Sequence, residues 1–411
     1  MTVEHIILAL VLILGLSLIA QPASRLLHMP FASILVLLGF ITSELVVYAG
    51  IDTGIRSDNF QSIIFYVLIP VLVFESAYNI DKQRLKKNLV VILSLAIIAM
   101  LLTCLIAAIL LFYGIGHESG FPWMAALITG AILAATDPVA VMAILKEMNA
   151  PQRIRVLLEG ESLFNDATAI VIFSLFLSIA TATSETVPAG DLQSVIDAVV
   201  RFVSIFAGGA LTGLLVGLFF GVLQKKVKQN LLTGVMSLIV AYGSYLLAEH
   251  LEVSGVMSTL LAALSFSVLS HDAGEALESE VKNKYLWDVL SHVANVSVFV
   301  IVGAVITLEM FEQRWLAMLI AIFSLLLARA VSVYGVLSLF SSFNKLKVNF
   351  SAQTIMVWAG LRGAVTLALA LSLPTTLDYW WTIQSIAFGV VMFSLFVQAP
   401  TMPLLVKRLS L

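Results

Sequence analysis

Apolar stretches of about 20 residues recur along the whole chain between short polar segments. Each is long enough to cross a hydrocarbon core about 30 Å thick as a helix. The pattern predicts thirteen spans: 5–20, 30–48, 59–78, 89–113, 123–145, 156–180, 192–223, 231–249, 254–270, 288–308, 315–340, 350–372 and 379–405. An odd number places the two termini on opposite sides. The longest polar connection, about Ser270 to Asp288, reads as a loop or short surface helix, so no regulatory or nucleotide-binding domain is expected. The first span carries Glu4 and no Lys or Arg at its head, which favours an uncleaved, outward-facing start over a signal peptide.

Composition agrees with this pattern. With 60% hydrophobic and 11% charged residues over 411 positions, the chain is an all-α polytopic membrane protein. The Lys and Arg residues then orient it, because basic residues in short loops gather on the cytoplasmic side. Loops after odd-numbered spans hold 17 of the 22, whereas the opposite loops hold only Arg56 and Arg314. The N-terminus is therefore expected outside and the C-terminus in the cytoplasm, in a cell (inner or plasma) membrane. A net charge of -3 gives no reason to expect a nucleic-acid partner. One cysteine, Cys104, excludes an internal disulfide and a thiolate metal site.

Against this background the carboxylates at span depth stand out. A central Asp costs about 2.5–3.5 kcal/mol on insertion scales, so Asp137, Glu161 and Asp166 together cost on the order of 10 kcal/mol unless paired, protonated or wetted. Span five is interrupted at Thr136-Asp137-Pro138. Proline lacks an N–H and clashes with the preceding turn, so this helix should break and expose two half-helix ends. Asp137 can neutralise a positive end, and Thr136 can offer an oxygen to a cation. In span six, Ser162 and Asp166 are i,i+4 neighbours, and Glu161 and Asn165 form the adjacent stripe. These are hard oxygen donors suited to an alkali cation. No nucleophile and base pair is recognisable, so an enzyme is not expected. Span twelve carries a second interruption, where Gly360 and Gly363 flank Arg362. If spans 1–6 and 8–13 are repeats around span seven, their starting orientations are opposite, giving two inverted six-helix repeats around a linking helix. Arg329 and Arg362 need acidic or carbonyl partners within their spans. Gly209, Gly213, Gly217 and Gly221 leave a smooth strip on span seven, open to packing within the subunit or to a dimer contact.

These segments carry a resemblance. Phe74-Glu-Ser76 after Leu68-Ile-Pro70, the Ala-Thr-Asp-Pro-Val-Ala-Val run, Leu158-Glu-Gly-Glu-Ser-Leu-Phe-Asn-Asp166, isolated Arg329 and Gly360-Leu-Arg-Gly363 resemble, in this order, the monovalent cation/proton antiporters. The likeness is greatest to the electroneutral NhaP-type sodium/proton antiporters, which are related to the animal exchangers. It implies thirteen transmembrane helices, with broken helices 5 and 12 crossing at mid-membrane, working as a homodimer in lipid. Residues 89–180 and 315–405 would form the core, or transport, domain of the single 1–411 unit, and 5–78 and 192–308 the dimerisation scaffold. By the same resemblance Asp166 binds Na+ or H+ with Asp137, Ser162 and Thr136. Glu161, Asn165, Arg362 and Arg329 would form a supporting polar network, and Glu75 takes a secondary place.

One carboxylate that either a proton or a monovalent cation can neutralise is an exchange device. Asn165 cannot take up a second proton, so electroneutral 1:1 exchange without a cofactor is expected, with steep pH dependence. A potassium/proton antiporter of a neighbouring branch is the alternative, and a cation channel the more distant one.

Overall fold

A computed structural model describes residues 3–27, 29–48, 62–115, 121–182, 192–226, 230–271, 277–340 and 346–409. Its regular elements are all helical. They are α1 (Val3–Leu27), α2 (Phe31–Tyr48), α3 (Ile69–Asn79), α4 (Lys82–Leu93), α5 (Met100–Gly114), α6 (Trp123–Ala134), α7 (Val139–Glu147), α8 (Gln152–Ala182) and α9 (Leu192–Gln224). They continue with α10 (Asn230–His250), α11 (Gly255–His271), α12 (Leu277–Val305), α13 (Leu308–Ser338), α14 (Phe350–Trp358), α15 (Ala364–Leu371), α16 (Trp380–Phe393) and α17 (Ala399–Arg408). Among the described residues, nine helical stretches are long and apolar enough to cross a membrane, and Phe31–Leu45, Ile64–Asn79 and Gly255–Leu269 are shorter apolar helices.

Wide π-type turns stand before α3, between α4 and α5, and between α16 and α17. In the first and last, Ile69 N–H reaches Ile64 O and Ala399 N–H reaches Ser394 O. Pro70 and Pro400 follow directly. A proline has no amide to continue the helical ladder, so the helix absorbs the missing bond as a local widening. Two other pairs of helices are separated outright. Ala135–Pro138 lie between α6 and α7, and Ala359–Gly363 between α14 and α15. Asp137 precedes a proline and is thereby driven away from helical backbone angles.

Close packing relies on glycine where helix backbones touch. The strip on α9 faces α11 within the same chain, since a Cβ on Gly209, Gly213 or Gly217 would collide with Ser254 O, Ser258 O or Ala262 O. That face is therefore filled by intramolecular packing. Helices α2 and α12 meet in the same way, Gly39 against Val300 O and Gly303 against Val36 O. One expectation needs correction: the polar stretch before the tenth span is no separate loop or surface helix from residue 277 onward, because α12 runs unbroken from Leu277 to Val305. Trp287, fully buried, and Asn283, 4% exposed, tie its polar half to α10 and α3: Trp287 Nε1 donates to Ser237 Oγ at 3.0 Å and Asn283 Nδ2 to Tyr78 Oη at 3.1 Å. Similarly, the fourth helix begins at Lys82, where the Asp81 side chain caps it through the Arg84 amide at 3.0 Å. Helix α13 gains a first turn before a kink at Arg314. Arg56 and residues 59–61 lie outside the described residues.

Candidate ion-binding site

The two interruptions touch: Asp137 N–H donates to Leu361 O at 2.8 Å. Four half-helix ends meet there, and their partial charges demand opposite treatment. The N-termini of α7 and α15 share one carboxylate. Asp137 Oδ1 accepts from Val139 N–H at 2.9 Å, and Oδ2 accepts from Ala364 N–H at 3.4 Å. Gly363 is required beside it, because a Cβ there would overlap the Asp137 carboxylate. The C-terminal ends of α6 and α14 are covered by donors. Arg362 Nε donates to Leu133 O at 2.7 Å and its Nη1 to Gly360 O, while Arg329 Nη2 donates to Met356 O at 3.3 Å.

Helix α8 runs alongside and presents two faces. On one, Asn165 Nδ2 donates to Ala134 O and to Thr136 Oγ1, both at 3.2 Å. Glu161, one turn earlier, forms an ion pair with Arg329 Nη1 at 2.5 Å, with the two side chains 1% and 2% exposed. On the other face, Ser162 Oγ donates to Thr136 O at 2.5 Å, and Asp166 follows one turn later. Glu161 is held by its ion pair and Asp137 by two helix N-termini, whereas among the described residues Asp166 has neither: its Oδ1 is enclosed and has no hydrogen-bond partner.

Asp166, Asp137 and Ser162 line a cavity of about 80 Å3, to which Glu75, Glu159 and Asn295 also contribute. Thr136 is 5% exposed and reaches the set through Ser162 rather than by lining the cavity. Glu75 comes from α3, where its Oε1 accepts from Asn79 Nδ2 at 2.7 Å. Glu159 was readable from spacing, lying three residues before Ser162 and seven before Asp166 on one helical face. Asn295 has the same spacing from Asp288 and Ser291, on the helix whose polar start reads as a loop. A larger vestibule of about 870 Å3 opens beside the cavity, with Arg25, Phe31, Glu147, Asp288, His292 and Pro403 among its lining. Val139 and Asn295 line both spaces. Carboxylate, hydroxyl and carboxamide oxygens surround the cavity, a hard donor set that matches an alkali cation and offers nothing to a soft metal.

Comparison with known proteins agrees with this chemistry. Residues 7–408 match the family described as sodium/hydrogen exchanger, transmembrane. The chain is 33% identical over 409 residues to the Na+/H+ antiporter ApNhaP of Aphanothece halophytica, covering 99% of this chain and 75% of that protein. It is 29% identical to the Na+/H+ antiporter NhaH of Halobacillus dabanensis, covering 99% of both. The solved sodium proton antiporter MjNhaP1 of Methanocaldococcus jannaschii has the same fold, with a TM-score of 0.79 at 22% identity over 98% of this chain and 99% of that one. The chain is an integral multi-pass membrane protein that belongs to the sodium/hydrogen exchanger family and is of the NhaP type.

Proposed function

We propose that the chain is a secondary antiporter exchanging Na+, or Li+, for H+ in a 1:1 electroneutral cycle, with cation and proton competing for Asp166. The observation that carries this reading is the unpartnered Oδ1 of Asp166 at a cavity that shares Val139 and Asn295 with the vestibule. The other charges of the cluster are committed: Asp137 to two helix N-termini, Glu161 to Arg329, and Arg362 to two carbonyls. Three carboxylates against two guanidiniums leave the cluster one negative charge. One proton or one monovalent cation makes it neutral, and Asn165 adds no further titration. A cluster that crosses only when neutral therefore carries one ion per half-cycle.

Thirteen spans in two inverted six-helix repeats, with the fifth and twelfth broken and crossing at mid-membrane, suit the order of the elements. Residues 89–180 and 315–405 act as a core that slides, elevator-fashion, against a scaffold of 5–78 and 192–308. In support, one apolar cluster draws its buried members from α5, α6, α8, α13, α15 and α16 and from the residues joining them, with Phe65 and Phe202 of the scaffold packed only at its edge. The scaffold carries the homodimer contact. The vestibule lies on the side of Arg25 and Glu147, which basic-residue placement assigns to the cytoplasm, so the described state is open inward.

The test is cation-driven proton flux in proteoliposomes with the membrane potential clamped at several values. Electroneutral exchange gives rates independent of voltage, and Asp166→Asn loses coupled flux. A rate that scales with voltage contradicts the 1:1 ratio.

A further inference from the structure

We propose that Asn295 is a cation-positioning residue, supplying a carboxamide oxygen from the scaffold at the neck through which the ion reaches Asp166. The inference rests on the exchange reading above. Asp288, Ser291 and Asn295 lie at i, i+3 and i+7 of α12 and line the vestibule as one polar face. Of these three only Asn295 also lines the Asp166 cavity, opposite Val139 in the first turn of α7. It stands half-buried between buried Ala294 and Val296, and among the described residues its amide has no hydrogen-bond partner. A carboxamide within an apolar span ordinarily bonds to a neighbouring helix, so an unpaired, half-buried one on the walls of both spaces is available to a ligand.

The chemistry suits the position. A cation moving from the vestibule to an 80 Å3 cavity sheds part of its water shell, and a fixed amide oxygen replaces a water ligand. Because the amide is neutral, it does so without changing the charge that the cycle must balance. Glu75 and Glu159 on the same cavity wall can titrate, whereas Asn295 contributes only a dipole.

The experiment is steady-state Na+-driven proton flux in proteoliposomes. Asn295→Leu, similar in size and without the oxygen, raises the cation KM about tenfold and leaves kcat within about twofold, as expected for lost ground-state binding. Asn295→Ser, which restores an oxygen, recovers part of the affinity. If Asn295→Leu fails to fold, Asn295→Ala is read against Asn295→Ser in the same way. A KM within twofold of the unaltered protein in the apolar variants overturns the inference. Asp166→Asn separates the two claims. Its inactivity beside an unchanged Asn295→Leu KM refutes only the role of Asn295, whereas coupled flux in Asp166→Asn refutes the exchange reading itself.

A second observation is independent of the cavity. The Leu395 carbonyl has lost both helical donors, since Ala399 N–H bonds Ser394 O and Pro400 has no N–H. Ser33 Oγ of α2 donates to it at 2.8 Å, and both residues are buried, at 0% and 2% exposure. This bond joins the proposed scaffold to the proposed core. The geometry points to a latch that holds the vestibule-open arrangement, because sliding leaves a buried carbonyl unpaired. With a reporter at Ala143→Cys in the vestibule, Ser33→Ala lowers the open population about tenfold, read as slower labelling by an impermeant maleimide. Ser33→Thr keeps the hydroxyl and the rate. Equal labelling with Ser33 and Ser33→Ala overturns the latch, and labelling that no cation gradient changes refutes the sliding of the two bodies instead.

Discussion

Arg329→Ala tests the charge arrangement of the core most severely. The guanidinium meets Glu161 at 2.5 Å with the pair 2% and 1% exposed, and it also covers Met356 O at the end of α14. Removing it leaves a carboxylate buried without its counter-charge and a helix terminus without its donor. Breaking one side of a buried ion pair costs about 3–5 kcal/mol, on the order of a hundred- to a thousandfold or more in the folded-to-unfolded ratio. Replacing both partners by apolar side chains of similar size is often neutral. Arg329→Met with Glu161→Leu should therefore be at least about 2 kcal/mol more stable than the two single losses predict by addition. The assay is unfolding by sodium dodecyl sulfate in mixed micelles, followed by circular dichroism, across the full double-mutant cycle. A loss below about 1 kcal/mol for Arg329→Ala, or additive behaviour in the cycle, refutes the reasoning.

Other predictions follow the same logic. Asp137→Asn keeps one acceptor but loses the charge facing the N-termini of α7 and α15, so coupled flux should fall at least about tenfold with a stability cost of about 1–2 kcal/mol; wild-type flux would refute the assigned role. Gly213→Ala forces a methyl into Ser258 O and should cost about 1–3 kcal/mol, whereas Gly335→Ala meets open space and should stabilise α13 by about 0.5–1 kcal/mol. Parallel melting curves compare the two. Asp81→Ala removes the cap of α4 and should cost about 0.5–2 kcal/mol at neutral pH. The Arg84 amide, and then its guanidinium, hold the Asp81 carboxyl below the usual carboxylate range, so its contribution is present above about pH 4 and is lost as pH falls through the lowered value. Unfolding of both forms between pH 3 and 7 should converge at the acid end.

Much of this was legible in the apolar pattern, because a helix in lipid must satisfy its own backbone and so announces itself by length. Asp137-Pro138 was readable for the same reason, since a missing amide in mid-span has to be answered locally. What was not legible depends on pairing across the chain. Arg362 bonds to the carbonyls of Leu133 in α6 and of Gly360 in the break after α14, and Arg329 to Glu161 and a carbonyl, yet both look alike as lone cations in apolar runs. Glu159 and Glu161 differ by two positions, which on a helix sends one to the cavity and the other to Arg329. Asn295 shares its span with other polar residues, and only its place on the walls of both cavities gives it meaning. The polar start of α12 read as a loop because its charge hides the helix, which extends beyond the apolar band and is anchored by Trp287.

The most direct test of the central claim is the apparent Na+ affinity of the purified protein in proteoliposomes as a function of pH. Competition for Asp166 predicts that on the acid side the Na+ KM rises about tenfold for each unit fall in pH, while the rate at saturating Na+ stays constant. A Na+ KM independent of pH, with the maximal rate falling instead, contradicts a shared carboxylate.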